Sequence, residues 1–152
     1  MLVFKTFGQV ENQQDKLKAL FLYKFTEYVT WPEESEAARI GVLRAPEVLS
    51  QLEDFRESRP HLQVVDVKSP ADAEGLHVLL LSKASVDQHK DYIKALNGST
   101  TMVVCEDKGD TRWGVDIAFF ENNARMSYIV YESSLQRRNL VPSGKLLGLG
   151  AR

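Results

Sequence analysis

Residues 77–105 read HVLLLSKASVDQHKDYIKALNGSTTMVVC. The run from His77 to Leu81 is almost continuously apolar, which fits a strand covered on both faces. Ser85 is a good N-cap residue, and Gln88 three positions later completes the sequence form of a capping box. Val86, His89, Ile93 and Leu96 then recur at helical spacing, and Asn97-Gly98 supplies a stop. Thr101 to Cys105 is a second apolar strand. Strand, helix and strand in so short a span predict a parallel pair joined by a crossover helix.

The same alternation continues upstream. Arg39 to Leu43 reads as a short buried strand, and Pro46 can open a helix whose Val48, Leu49, Leu52 and Phe55 share one face as far as Ser58. Arg59-Pro60 breaks it, Leu62 to Val67 is strand-like, and Pro70 to Gly75 is loop or a single turn. Earlier still lies LKALFLYKFTEYVTWP, residues 17–32. Leu17, Leu20, Phe21, Phe25, Tyr28 and Val29 fall on one face of a helix of about three turns. Pro32 disfavours helix in the residue before it, so the helix ends near Thr30 and leaves Trp31 at a corner. A Trp that plugs the core is the plainer reading of that corner. Glu33 to Ala38 is a polar connector.

Downstream, VDIAFFENNARMSYIVYESSLQRRNLVPSGKLLGLG fills residues 115–150. Val115, Ile117 and Phe119 alternate with Asp116, Ala118 and Phe120 at the period of a strand. Asn122-Asn123 can make a tight hairpin, because Asn tolerates positive φ, and Arg125 to Tyr131 resumes as strand. A short helix from about Ser133 to Arg138 precedes a terminal Ser-Gly-Lys-Leu-Leu segment. The fold class expected is α/β: a single-domain mixed sheet, mostly parallel, with a C-terminal antiparallel hairpin and flanking helices. All 152 residues suit one domain, which buries roughly 68–70% of its unfolded surface and needs no metal or disulfide. Residues 1–13 are expected to form a poorly ordered N-terminal segment.

Composition excludes several function classes. A net charge of −2 without a long cationic run gives a phosphate backbone little to hold, so no nucleic-acid partner is expected. No apolar run reaches the roughly 18–20 residues of a transmembrane helix, so direct membrane insertion is not expected. His61, His77 and His89 sit on separate elements without paired ligand spacing, and no metal or other cofactor is expected. Glu106, Asp107 and Asp110 lack the ligand alternation of a calcium loop. Ser143-Gly144-Lys145 fails as a phosphate loop, since Asn139 stands where a Gly is required and Leu146 follows the Lys. No Gly-x-Ser-x-Gly elbow occurs. Cys105 is the single cysteine and lacks a recognisable base partner, so a small core residue is the expectation and catalysis is not.

Four residues stand out as surface candidates. Trp113 lies in the polar loop Asp107–Gly114, outside every periodic stripe, and Trp is enriched at binding hot spots. Its plainer alternative is a ring folded over the sheet edge. Arg137 and Arg138 end the last expected helix, where they either complement its carbonyl end or offer cations to an acidic partner. Trp31 completes the set. Trp31 with Tyr28 is an alternative aromatic surface for a small ligand.

Both ends of the chain together resemble the YfiR-like family of bacterial envelope proteins. The matching residues are Phe21, Leu22, Phe25, Val29, Trp31 and Pro32, then Ile117, Phe119, Leu135, Leu140, Ser143, Lys145, Leu146 and Leu147. The resemblance runs from about residue 14 to 149. It implies a non-enzymatic regulatory or sensory protein that binds a membrane-bound diguanylate cyclase, or a sensor kinase, and so controls cyclic-di-GMP signalling and biofilm formation. It leaves room for a homodimer. It also implies a periplasmic location; because MLVFKTFGQVENQQ lacks the order of an export signal, either that signal has been trimmed from this chain, which is the reading favoured, or this member stays in the cytoplasm. Some members carry disulfides, and a lone Cys105 departs from that pattern.

Overall fold

The computed structural model describes residues 7–108 and 114–151, with side chains from residue 13 onward. In chain order the first half comprises α1 (Phe7–Tyr28), β1 (Val29–Thr30), β2 (Ala38–Leu43), α2 (Pro46–Arg56), β3 (Leu62–Val67) and β4 (Val78–Leu81). The second half comprises α3 (His89–Ala95), β5 (Met102–Cys105), β6 (Ile117–Asn122), β7 (Arg125–Val130), α4 (Glu132–Arg137), β8 (Val141–Pro142) and α5 (Gly144–Leu149). Six strands form one sheet in the order β3-β2-β4-β5-β6-β7. Every neighbouring pair is parallel except β6–β7, which is the expected antiparallel hairpin. The mixed α/β class read from the sequence is the fold observed.

The apolar run of β4 is explained by cover on both faces. Val78 and Leu80 join a core with Leu22 and Phe25 of α1 and Val48 and Leu52 of α2. Leu79 and Leu81 point the other way, into a core with Tyr92 and Leu96. Gly41, beside β4 in the register, is required by close approach: a Cβ there would collide with the side chains of Leu76 and Val67. The hairpin turns at Asn123-Ala124, one residue later than the sequence suggested, with φ of 50° and 63°. Both central residues at positive φ suit the right-handed twist of the paired strands.

Three expectations are corrected. Helix α1 has 22 residues, about six turns rather than three, so residues 7–13 are helical; residues 1–6 lie outside the described residues. Its first turns carry Gln, Glu and Asn without an apolar stripe, which hid them from a periodicity argument. The buried face of α1 is Lys18, Ala19, Leu22 and Phe25, with Leu20 only half-buried, because α1 packs against α2 as well as the sheet, and Val29 is buried just after it in β1. Finally, Ser85 does not cap α3. It lies buried in a 3-10 segment, Lys83–Gln88, and its hydroxyl donates to the Ser82 carbonyl.

The C-terminal segment folds back to hold α1. Val29 pairs with Pro142 and Thr30 with Val141, while the Ser143 N–H donates to the Tyr28 carbonyl at 2.8 Å. The Ser143 hydroxyl then caps α5 by accepting from Leu146 N–H. Tyr128 locks this helix to the sheet: its hydroxyl donates to the Leu146 carbonyl at 2.7 Å. Burial, then nearby Tyr28, push the Tyr128 phenol up to about 12. The ring also meets Phe25 edge-on at 4.9 Å, and Phe25 stacks on Phe119 at 6.0 Å. Phe25→Ala should therefore cost about 3–5 kcal/mol in denaturant unfolding, the range for truncating a buried Phe. A loss below about 1 kcal/mol would show that α1 is not seated on this cluster.

Candidate functional site

In a parallel sheet, the residues that precede each strand line up along one edge. Ala38 opens β2, and His61, His77 and Thr101 immediately precede β3, β4 and β5. Trp31 joins this amino-end edge because β1 ends at Thr30 and Pro32 turns the chain away. Its indole N–H donates to the Thr100 carbonyl at 2.8 Å, and its ring meets the His77 imidazole edge-on at 5.2 Å. Nδ1 of His77 accepts the Arg39 backbone N–H at 3.1 Å. Burial, and secondarily the Arg39 charge, lower the His77 pKa below its ordinary 6.5.

Three clefts surround this edge. One of about 770 Å³ is lined by Trp31, Tyr23, His61 and His77 together with Glu27, Glu33, Glu34 and Glu36, and no Lys or Arg borders it. A second, of about 370 Å³, shares Trp31, His77, Glu33 and Glu34, extends to Ser99, Thr100 and Thr101, and also takes in the cation Arg39. Asn97 and Gly98, on the same α3–β5 loop, border a third cleft of about 360 Å³. That one is lined by Lys90, Lys94, Arg137 and Arg138 and, among the described residues, by no carboxylate. The loop from Leu96 to Thr101 thus lies between an aromatic surface rich in glutamate, with Arg39 as its one described cation, and a cleft rich in Lys and Arg.

The sequence candidates are distributed unevenly over this edge. Trp31 is partly buried, packed against the main core, and borders both of the first two clefts. Tyr28 does not join it: its ring lies under Lys145 of α5, with the ammonium 5.8 Å from the centroid, so the aromatic pair expected for a small ligand is split. Trp113 lies outside the described residues. Arg137 is exposed at the basic cleft. Arg138 is not a freely presented cation. Its Nε donates to Asp116 Oδ2 at 2.8 Å and its Nη1 to the Leu96 carbonyl at 3.1 Å. Asp116 is fully buried and also accepts from the Val103 N–H at 2.7 Å and the Ser134 hydroxyl at 2.5 Å. A buried carboxylate requires such partners, and the cation that looked like a helix-end charge supplies one of them.

His61 and His77 share a cleft, but among the described residues no three His, Cys, Asp or Glu side chains cluster as metal ligands. Cys105 lies at the opposite, carboxyl end of its strand, buried, with its thiol donating to the Asp107 carbonyl at 3.1 Å. His89 is buried there as well, its Nε2 donating to the Ser82 carbonyl at 2.8 Å. The convergence of His61 and His77 escaped the sequence reading, although both stand one residue before a strand.

The sequence model of one family, described as YfiR/HmsC-like, matches residues 15–151. The chain belongs to the YfiR/HmsC-like family. No curated protein matches it closely enough to add a relative. In this YfiR/HmsC-like domain the matched span takes in Trp31, the α3–β5 loop and Arg138, so the whole amino-end edge falls within it. Among the described residues no helix is long and apolar enough to cross a membrane.

Two predictions follow from the charges at this edge. Arg138→Ala leaves Asp116 buried without its cation and should cost about 3–5 kcal/mol in denaturant melts. Adding Asp116→Asn should recover part of that loss, and full additivity of the two substitutions would show that the pair does not interact. For His77, the folded state disfavours protonation, so the unfolded chain binds more protons as pH falls through 6.5 towards the lowered folded value. Stability should therefore drop across that window, and His77→Gln should lose less between pH 7.5 and 5 in parallel thermal melts. Equal losses in both proteins would remove His77 from the account.

Proposed function

We propose that this domain is a non-enzymatic regulator in the periplasm that controls a membrane-bound diguanylate cyclase by binding it. Family membership supplies the class of partner, and Trp31, partly buried but with its ring bordering two clefts at the amino-end edge, is the observation that supports a binding role. The indole is already held by Thr100 and His77, so a partner that covers it meets a ring whose rotamer is fixed. Fixed aromatic anchors lose little entropy on association. Glu33 and Glu34 beside it are exposed, and Arg137 lies across the loop, so the edge presents both signs of charge to a complementary surface. Trp113, four residues before Ile117 in the matched span and outside the described residues, remains a partner-binding candidate on sequence grounds. A sensor kinase is the other partner class that the family resemblance brings.

The volume of the acidic cleft favours one alternative, a small-ligand sensory module with Trp31 in its wall. About 770 Å³ falls within the range of small-molecule sites. Its four glutamates and two histidines would select a cationic or hydrogen-bonding ligand over an anion.

The test is partner affinity measured beside thermal melting, using the periplasmic part of a membrane-bound diguanylate cyclase from the same organism. Trp31→Ala should weaken binding by about 2 kcal/mol or more, roughly thirtyfold, as for a Trp hot spot. Glu33→Lys with Glu34→Lys alters exposed side chains and should weaken binding without lowering the melting temperature. In cells each should raise cyclic-di-GMP. Unchanged affinity for these variants, with the fold intact, would remove this edge as the interface.

A further inference from the structure

We propose that Asn97 is a site of spontaneous deamidation and isoaspartate formation, placed on the turn that holds Trp31. Asparagine is thermolabile because the next backbone nitrogen can attack its side-chain carbonyl, and glycine shields that nitrogen least. Asn97-Gly98 is the one Asn-Gly pair in the chain; the other asparagines precede Gln13, Asn123, Ala124 and Leu140. Both residues of the pair are exposed, and a Cβ at Gly98 would meet nothing within 4 Å, so the approach is open. They occupy the centre of a turn closed by the Ser99 N–H, which donates to the Leu96 carbonyl at 3.0 Å. Gly98 has φ of 83°, the positive value that a type II turn requires at its second central residue. The Asn97 N–H donates to the Lys94 carbonyl at 3.2 Å, whereas the Gly98 N–H donates to no described residue and is left to solvent. The attacking nitrogen is therefore held by no hydrogen bond among the described residues.

The reaction needs only water. The Gly98 nitrogen gives its proton to hydroxide and bonds to Asn97 Cγ; the Cγ–Nδ2 bond breaks, and the amide leaves as ammonia with a proton returned from water. Water then opens the resulting cyclic imide. Cleavage at the side-chain carbonyl gives aspartate, and cleavage at the backbone carbonyl gives isoaspartate; nothing is oxidised or reduced. Isoaspartate routes the main chain through Cβ and so adds one carbon to the turn. Both flanks of that turn are committed. The Leu96 carbonyl accepts Arg138 Nη1 at 3.1 Å, and the Thr100 carbonyl accepts the Trp31 indole N–H at 2.8 Å. Added backbone between these two acceptors displaces at least one of them, and the exposed Thr100 side gives way more readily than buried Leu96. Trp31 then loses the carbonyl that fixes its ring. Neither the chemistry nor this displacement rests on the cyclase reading; only an effect on a partner would.

The experiment ages the intact protein in mildly alkaline buffer beside a synthetic peptide of residues 94–101, KALNGSTT, at the same temperature. Peptide mapping should find Asn97 converted within about tenfold of the rate in the free peptide, with isoaspartate the larger product. Isoelectric focusing should show a species with one added negative charge. Asn97→Gln should abolish that species, because the longer side chain must close a larger and slower ring. Conversion more than about tenfold slower than in the peptide, or an acidic species that survives Asn97→Gln, would overturn the site. The displacement is read from the assigned indole N–H resonance of Trp31 in the isotope-labelled protein. It should move in the isoaspartate form and stay in place in freshly prepared Asn97→Asp, which adds the charge without the extra backbone carbon. An unmoved resonance in the isoaspartate form, or an equal shift in Asn97→Asp, would overturn the coupling to Trp31.

Discussion

A single buried carboxylate ties the last third of the chain to the sheet. Strands β5 and β6 share only two ladder positions, Val104 with Ile117 and Cys105 with Ala118. Asp116 extends that pairing with its own atoms, since its backbone N–H donates to Val103 and its side chain accepts the Val103 N–H. The same carboxylate takes the Ser134 hydroxyl and the Arg138 guanidinium from α4 and its C-cap. A six-residue helix has no independent stability, so α4 owes its position to these bonds and to buried Leu135. Arg138 then reaches across to the Leu96 carbonyl at the end of α3. Burying the ion pair costs solvation on both partners, which the three donors to Asp116 offset.

A second buried ion pair works at the other end of the sheet. Lys18 of α1 meets Glu106 after β5 at 2.9 Å, and Glu106 also accepts the Lys83 backbone N–H. Lys18 occupies a position on the buried stripe of α1 where an apolar residue would serve the core equally well. Its ammonium instead fixes the helix axially against β5, a constraint that non-directional apolar packing does not supply. Each ion pair therefore sets the placement of helices on the sheet, one at each end of the strands. The carboxyl end is tied by polar contacts among Lys18, Glu106, Ser82, Ser85 and His89. The amino end has its buried Asp116–Arg138 pair and, around it, exposed charges in clefts.

What could be read from sequence follows from the range of the interactions. Strand β3 and the run of β4 were legible because alternation and unbroken apolarity are local, and the two-sided burial of β4 followed from composition. The α/β order was legible for the same reason. Lys18 and Leu22 on the buried face of α1 were not, because the arc a helix buries depends on how many neighbours it has. The pairing of β1 with β8 joins residues at opposite ends of the chain, and two-residue strands carry no periodic signal. Arg138 was misread for the same physical reason. At a helix end a cation is adequately explained by the carbonyl dipoles, and its true partner lies 22 positions away. His61 and His77 were different: parallel register alone would have brought them to one edge, once both were recognised as the residues before strands.

The division of charge at that edge bears on how a regulator of this shape can work. Exposed charges act over roughly 8 Å at physiological ionic strength, so the acidic and basic halves present distinct fields to an approaching surface. A segregated pattern orients encounter and rejects partners of the wrong polarity while adding little net affinity. Affinity must then come from desolvated contact, for which Trp31 is the one described residue of the edge with both a large ring and a fixed rotamer. The α3–β5 loop carries the carbonyl that holds that ring and forms a wall of the basic cleft. Its Gly98, at φ of 83°, and its Ser99, bonded to the Leu96 carbonyl, anchor it to the same helix end that Arg138 caps. The buried Asp116–Arg138 pair is thus what holds the acidic and basic halves at a fixed distance, and the pattern that a partner would read is set from inside the fold.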